Sequence, residues 1–333
     1  MTIHRNISLK PYNTFGIDAV ADAMADCHTT AELADTVRTL QGRSVVVGGG
    51  SNILFLGDFH GTVIRPLLYG IEVTDITDRH VDIRVGAGVV WDGLVAMCVA
   101  NGWSGIENLS YIPGRVGAAP VQNVGAYGAE AADVIRFVNA ISTDTGAPLR
   151  LSADECMFGY RRSIFKHQLK GKAIVTSVEM RLATSFAPNL DYGPVRAAVE
   201  QYGRPTLANI RRAIIDIRRA KLPEPDDKGS AGSFFKNPEI SEAQADALLR
   251  SHHDMPTYKL ANGMVKVPAG WLIEQAGWKG RRQGNAGVHD RQALIIVNHG
   301  GATGTEIMAL AEHICADVRQ KFGISLDMEV VIV

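Results

Sequence analysis

An α+β fold in two domains is predicted by three features of the sequence. Strand-like apolar runs are mixed with capped amphipathic helices, several strands follow one another directly as pairs, and no internal repeat imposes a regular βα period. The chain of 333 residues, 46% hydrophobic and 21% charged, also has the length for two cores at about 100–200 residues per domain.

The elements follow in chain order. Thr29 and Glu32 have the spacing of a capping box before a helix over 31–40. Strands are predicted over 44–47 and 61–65, as a pair over 71–75 and 81–85, and over 134–142 and 174–182, from short Val- and Ile-rich runs bounded by turn residues. A basic stretch ending in LPEPDD, over 204–227, breaks the pattern and reads as the seam between an N-terminal part of about 200 residues and a C-terminal part of about 130. Beyond a strand over 294–298, Thr303 and Glu306 cap a long helix that ends before Gly323. In it Ile307, Leu310, Ile314, Val318 and Phe322 recur at three- and four-residue spacing, the stripe of a helix lying on a sheet. The terminal run 325–333 is predicted as a strand, with Asp327 and Glu329 on one face.

Charge and cysteine usage exclude several function classes. With 34 Lys and Arg against 35 Asp and Glu, the chain lacks the basic excess of a phosphate-backbone binder, so nucleic acid is not an expected partner. No apolar run approaches the roughly 18 residues that span a bilayer, and MTIHRNISLKPYNTF has no signal core; no membrane association and a cytoplasmic location are expected. Cys27, Cys98, Cys156 and Cys315 form no CxxC pair, which points to buried thiols in a reducing compartment. The ten histidines show no ligand spacing, so no metal is expected.

Three glycine-rich stretches stand out. VVVGGGSNILF, 45–55, runs a buried strand into Gly48, Gly49 and Gly50, where successive N–H groups can turn toward one anion, although a tight turn has the same composition. Ile53 stands where the third glycine of GxGxxG belongs and no capped helix follows, which disfavours a nicotinamide-type Rossmann fold. The second stretch, ENLSYIPGRVGAAPVQNVGAYGAE over 107–130, has almost no side-chain bulk and suits backbone wrapped around an extended ligand. With a GAG turn at 86–88, the two loops point to a cofactor with a diphosphate and a large planar ring. In the third, DDKGSAGSFFKNP over 226–238, Ser233 is presented from a glycine turn; GxSxG is absent and no His serves it, so acyl transfer has little support. Arg211, Arg212, Arg218, Arg219 and Lys221 make a basic stretch that could grip phosphates or face solvent.

Taken together, VGGGSNILF, IPGRVGAAPVQNVGAYGAE, FGYRRSIFK, KLPEPDDKGSAGSFFKNP and the terminal Glu resemble the UDP-N-acetylenolpyruvoylglucosamine reductase (MurB) family of peptidoglycan synthesis, over nearly the whole chain and in family order. The resemblance implies an FAD-binding region of the p-cresol methylhydroxylase type over 1–203, in two lobes of about 1–67 and 68–203. A smaller α+β substrate domain over 204–333 would follow, its terminal strand carrying Glu329. It implies NADPH-dependent reduction of UDP-N-acetylglucosamine enolpyruvate to UDP-N-acetylmuramate through non-covalent FAD. The partners are then the UDP-sugar and NADPH, with a monomer favoured.

Residue by residue, the resemblance makes Ser233 the proton donor, Glu329 the C-terminal acid and Arg161 the active-site arginine. Tyr192 matches the mobile-loop tyrosine, and Lys221, Asn237, Gln292 and Arg218 are assigned to substrate. The flavin would be held by Gly48, Gly49, Gly50, Ser51, Asn52 and Ile53, by Ser110, Ile112, Pro113, Gly114, Gly117, Ala118, Gln122, Asn123 and Gly125, and by Ile174. Arg162 and Val331 depart from the family pattern, which has Asp and Arg there. A flavin-dependent alcohol oxidase or dehydrogenase of the same cofactor fold is the alternative reading.

Overall fold

Strict alternation builds the larger sheet. Val81, Ile83 and Val85 are buried while Arg84 between them is exposed, the period-2 pattern of a strand with one face on a core. This strand, His80–Gly86, lies in a five-stranded antiparallel sheet ordered Pro148–Ser152, Ile135–Ser142, Ala173–Ala183, His80–Gly86, Ile71–Ile76. Helix α2 (Trp91–Ala100) covers it with Trp91, Leu94, Val95 and Cys98. On the outer face, burial alone would raise the Glu179 carboxyl, but bonds from Arg150 (2.8 Å) and Asn139 (2.9 Å) outweigh it and hold Glu179 below the usual carboxylate range. A bidentate bond from Arg181 does the same for Asp82.

A four-stranded sheet precedes it, ordered Thr2–Ser8, Val20–Cys27, Phe59–Pro66, Ser44–Val46. Helix α1 (Thr30–Thr39) lays Leu33, Ala34 and Val37 on Ala25, Cys27 and Ile64. Its cap is half of the expected box: Thr29 accepts from the Glu32 N–H, but the Glu32 carboxylate reaches back to the His28 N–H (2.7 Å) instead of Thr29. Helix α3 (Leu207–Lys221) buries Ile210, Ala213 and Ile214 against Leu190, Val195 and Val199.

Nearer the C-terminus, a sheet runs in the order Gly229–Ser233, Ile295–Asn298, Ala286–Val288, Arg282–Gln283, beside a three-stranded sheet of Glu239–Ser241, Met264–Lys266 and Tyr258–Lys259. Helix α4 (Gly304–Phe322) has the full Thr303/Glu306 box, ends at Gly323 (φ +65°), and buries the whole predicted stripe. The terminal strand is much shorter than predicted, Val331–Ile332, because the chain changes partners: Met328 bridges Phe235, and only then does Val331 pair in parallel with Ile53.

The computed structural model describes residues 1–223 and 228–333; the 224–227 part of the expected seam lies outside them. Two compact units emerge, and they do not follow the expected division at 203/204. The first comprises Met1–Ile7, Ala21–Gly49 and His60–Ala220, the second Ser8–Val20, Gly50–Phe59 and Lys221–Val333. The N-terminal third thus lends two segments to the second unit. Among the described residues no helix is long and apolar enough to cross a membrane.

Gly304 tests how the second unit holds one of those segments. A Cβ there would overlap the Phe55 carbonyl oxygen, so Gly304→Ala sets about 1 kcal/mol of helix propensity against a backbone clash. The clash should win, with a loss of about 3 kcal/mol or more, whereas Thr303→Ala should lose about 1 kcal/mol with the cap. Urea unfolding midpoints of the two variants measure this, and a neutral or stabilised Gly304→Ala would refute the packing argument.

Candidate active site

In the first unit the two glycine-rich loops touch backbone to backbone. A Cβ on Gly49 would lie 2.9 Å from Gly114 Cα, and one on Gly117 would lie 2.6 Å from Ala87 Cβ in the 86–88 turn. These glycines are therefore required by the protein's own packing. Gly48 differs, since a Cβ there would meet nothing nearer than Arg115 Cβ at 3.9 Å. Around the second loop four residues other than Gly adopt left-handed backbone, Tyr111 (φ +59°), Asn123 (+47°), Tyr127 (+50°) and Arg161 (+52°), and such outliers persist only where surrounding bonds over-determine them.

Those bonds are present. Ser110, fully buried, donates to Glu107 O (2.6 Å), and the Trp91 indole donates to Leu109 O (3.0 Å). Asn123 is also buried; its amide donates to Glu130 (2.6 Å) and Gly159 O (3.2 Å) and accepts from Ala132 N–H (3.0 Å), so its side chain faces the protein. Arg161 donates to Gly125 O (2.7 Å) and Asn123 O (3.3 Å), two of the five N–H groups of its fork. Gln122 accepts from Lys166 (3.5 Å), and Ile112 packs partly buried on the core while Pro113 and Ala118 are exposed. Ile174 lies elsewhere, packed in the core with Ile141 and Leu33. Arg162 is exposed beside Arg161.

Helix α3 brings Arg218 to this loop. Its Nε donates to Tyr111 O (2.9 Å) and its guanidinium meets the Tyr127 hydroxyl. Burial pulls Arg218 below the ordinary guanidinium range, and burial likewise pushes Tyr127 above the ordinary phenol range despite Arg218. The exposed Tyr192 ring packs edge-on against Tyr127 at 6.1 Å. Asn108 steadies that contact by donating to Tyr127 O (2.8 Å) and Asn189 O (2.9 Å), while Asn189 donates to Gly128 O (2.9 Å). Lys221 is exposed at the last position of α3.

In the second unit the main chain next to Ser233 meets that of Glu329. Ser233 is exposed and follows Gly232 (φ +68°); next to it, Phe234 and Phe235 turn into the core. The Glu329 N–H donates to Phe234 O (2.8 Å), the Lys236 N–H to Asp327 O (2.9 Å), and Glu329 itself is buried. Asn52 joins them, its amide at 3.4 Å from Glu329 O and its own carbonyl accepting from Val331 N–H (3.1 Å). Gly50 (φ +65°) lies so close to Tyr12 O that a Cβ would overlap it, and Thr14 bonds both Gly50 O and Ser230 O (2.5 Å). Asn237 accepts from Ala269 N–H (2.9 Å) and Gln292 Oε1 stands near Gly270, which brings both to the start of the helix Ala269–Gln275.

Asp92, Tyr111, Tyr127, Asn108 and Thr14 escaped the sequence reading. Only Tyr111 and Tyr127 carried a signal, as lone aromatics in a loop of small residues. A group of Asp75, His80 and Asp82, with ligand atoms within 4.8 Å of one another, also escaped it; both Asp82 oxygens are bound by Arg181.

Comparison with known proteins places this geometry. A family profile for the UDP-N-acetylenolpyruvoylglucosamine reductase C-terminal domain matches residues 224–333, and one for an FAD binding domain matches 21–152. The chain is 45% identical to UDP-N-acetylenolpyruvoylglucosamine reductase of Bacteroides fragilis over 98% of this chain and 99% of the relative. It is 42% identical to that of Pseudomonas aeruginosa over 99% and 98%. Among solved structures, the reductase (MurB) of Thermus caldophilus superposes with a TM-score of 0.70 at 26% identity, covering 100% of this chain and 99% of that one. 6-Hydroxy-D-nicotine oxidase of Arthrobacter nicotinovorans, at 15% identity and a TM-score of 0.52 over 97% and 86%, shares the fold alone. At 45% identity across almost its whole length, the chain belongs to the UDP-N-acetylenolpyruvoylglucosamine reductase family.

Proposed function

We propose that Arg161, Ser233 and Glu329 carry the reduction this family performs, with Arg218, Tyr192, Lys221, Asn237 and Gln292 holding the nucleotide-sugar. The chain is an FAD-containing, NADPH-dependent oxidoreductase that converts UDP-N-acetylglucosamine enolpyruvate to UDP-N-acetylmuramate in peptidoglycan precursor synthesis. We read the monomer as the working unit and the cytoplasm, where NADPH and the UDP-sugar are available, as its place.

The residues present fit FAD. Gly48 leaves its backbone open to close approach, and a glycine-rich turn whose N–H groups can converge on one anion suits a diphosphate. The residues that would hold the cofactor are Gly48, Gly49 and Gly50 with Ser51, Asn52 and Ile53, and the loop from Ser110 to Gly125. Asn123 would act by fixing that loop, since its side chain faces the protein. Bound FAD supplies the passage of a hydride from NADPH to the enolpyruvyl methylene carbon.

The protein's own part is the charge and the proton. Negative charge grows at the adjacent carbon and spreads into the substrate carboxylate, and a guanidinium with a fixed plane stabilises it without reorganising. Two backbone carbonyls give Arg161 that fixed plane. Ser233 supplies the proton; its exposed hydroxyl on a glycine turn can reach a carbon without moving the chain. Glu329, a buried acid whose backbone is bonded to the residue after Ser233, restores or polarises that proton. That shared hydrogen bond is the observation that supports these roles most, because it seats two residues almost a hundred positions apart at one turn.

Three outcomes follow. Gly48→Ala should leave the unfolding midpoint unchanged but lower the flavin-to-protein absorbance ratio, and full occupancy would remove Gly48 from the cofactor site. Ser233→Ala should leave anaerobic flavin reduction by NADPH intact and slow reoxidation by the UDP-sugar by about 10²-fold or more, with Glu329→Gln retaining more reoxidation than Glu329→Ala; equal loss in both half-reactions would sink the assignment. Tyr192→Phe and Lys221→Ala should raise KM for the UDP-sugar more than they lower kcat, and an unchanged KM in both would show that neither grips the nucleotide.

A further inference from the structure

We infer that Asp92, in the first turn of α2, is a positioning residue that sets the backbone at Tyr111 and, through it, the guanidinium of Arg218. The inference rests on the reading of 110–114 as a cofactor loop and of Arg218 as a substrate cation.

Tyr111 is a bulky residue in left-handed backbone at the centre of that loop, and both of its flanking peptide groups are tied down. Its N–H donates to Asp92 Oδ1 at 2.5 Å, and its carbonyl accepts from Arg218 Nε at 2.9 Å. Arg219 stacks on the Tyr111 ring at 5.1 Å. The start of α2 touches the loop on either side as well, through Trp91 Nε1 to Leu109 O (3.0 Å) and Trp91 N–H to Gly114 O (3.1 Å). Asp92 thus stands in the middle of three bonds by which one helix end holds residues 109, 111 and 114.

The same carboxylate grips α3. Arg211 binds both its oxygens, at 2.6 and 2.8 Å, in a half-buried setting where charge-assisted bonds are strong. Arg211 and Arg218 are seven residues apart, about two helical turns, and so share a face of α3. Asp92 therefore fixes α3 at Arg211 and the loop at Tyr111, and Arg218 bonds the loop from the same helix. Burial by itself would raise the Asp92 carboxyl, but Arg211 and the Tyr111 N–H outweigh it and keep Asp92 below the usual carboxylate range. The charge of Arg211 is compensated at Asp92. Arg218 bonds two neutral groups, the Tyr111 carbonyl and the Tyr127 hydroxyl, and feels the Asp92 carboxylate only through space.

The test compares FAD-loaded wild type with Asp92→Asn, Asp92→Ala and Arg211→Lys, measuring FAD Kd, the rate of reduction by NADPH, and KM and kcat for the UDP-sugar. Asp92→Ala loses both bonds and should raise FAD Kd and KM each by about 10-fold or more, the scale of a lost charge-assisted hydrogen bond. Asp92→Asn keeps an acceptor for Tyr111 and should hold FAD Kd near wild type while still raising KM; Arg211→Lys should follow it. If Asp92→Ala does not fold, the other two variants carry the comparison. Variants with a lower unfolding midpoint but unchanged FAD Kd and KM would make Asp92 a structural residue and overturn the inference alone. A wild type that binds no FAD would overturn the reading of the loop and the inference with it.

Discussion

Backbone pairing of the C-terminal segment with the internal segment 53–54 is the constraint on which the second unit depends. Val331 and Ile332 run parallel to Ile53 and Leu54, and the peptides just before them bond to Phe234 and Lys236. A terminal segment that changes partners within a few residues has no freedom to shift by one position, because a one-residue slip would exchange the faces of every side chain. Glu329 lies at the changeover, buried and bonded through its N–H to the carbonyl oxygen of Phe234, the residue after Ser233, with Asn52 reaching its carbonyl. The acid and the hydroxyl are thus set by main-chain bonds, which hold position more firmly than the side-chain rotamers that finish the site.

The first unit solves a different problem. A loop that approaches a large cofactor must bring backbone near the ligand and still satisfy its own polar groups. Glycines at 49 and 117 let two turns meet at van der Waals distance, while Tyr111, Asn123, Tyr127 and Arg161 hold left-handed backbone around them. Three of the strained residues are bonded by side chains from elsewhere, Tyr111 by Asp92 and Arg218, Tyr127 by Asn108, and Asn123 by Arg161, which also donates to the Gly125 carbonyl. Arg161 is fixed by the loop it helps to hold, which keeps its remaining N–H groups in a set direction.

Local chemistry was legible in the sequence and distant chemistry was not. The cap and apolar stripe of α4 were readable because helix signals act over four residues. The strand Val20–Cys27 went unseen because its buried positions are Ala21, Met24, Ala25 and Cys27, residues without strong β preference, of which Ala25 and Cys27 gain their place by packing under α1. The glycine clusters were plain in the sequence, yet why individual glycines are needed emerged only from their neighbours. Gly49 answers to Gly114, whereas Gly48 leaves space. Asp92 and Thr14 gave no signal because each acts on residues tens to hundreds of positions away. The compact units differ from the division read in the sequence for the same reason, since the segments Ser8–Val20 and Gly50–Phe59 join the second unit through contacts that no local pattern encodes.

The central claim, that the chain passes reducing equivalents from NADPH to the enolpyruvyl group with the protein supplying the proton, is tested most directly on the wild-type holoenzyme. Under anaerobic conditions its flavin absorbance should be bleached by one equivalent of NADPH and then restored by UDP-N-acetylglucosamine enolpyruvate, with one UDP-N-acetylmuramate formed per flavin. A flavin that stays bleached with the UDP-sugar and recovers only when oxygen is admitted would contradict the account and favour an oxidase.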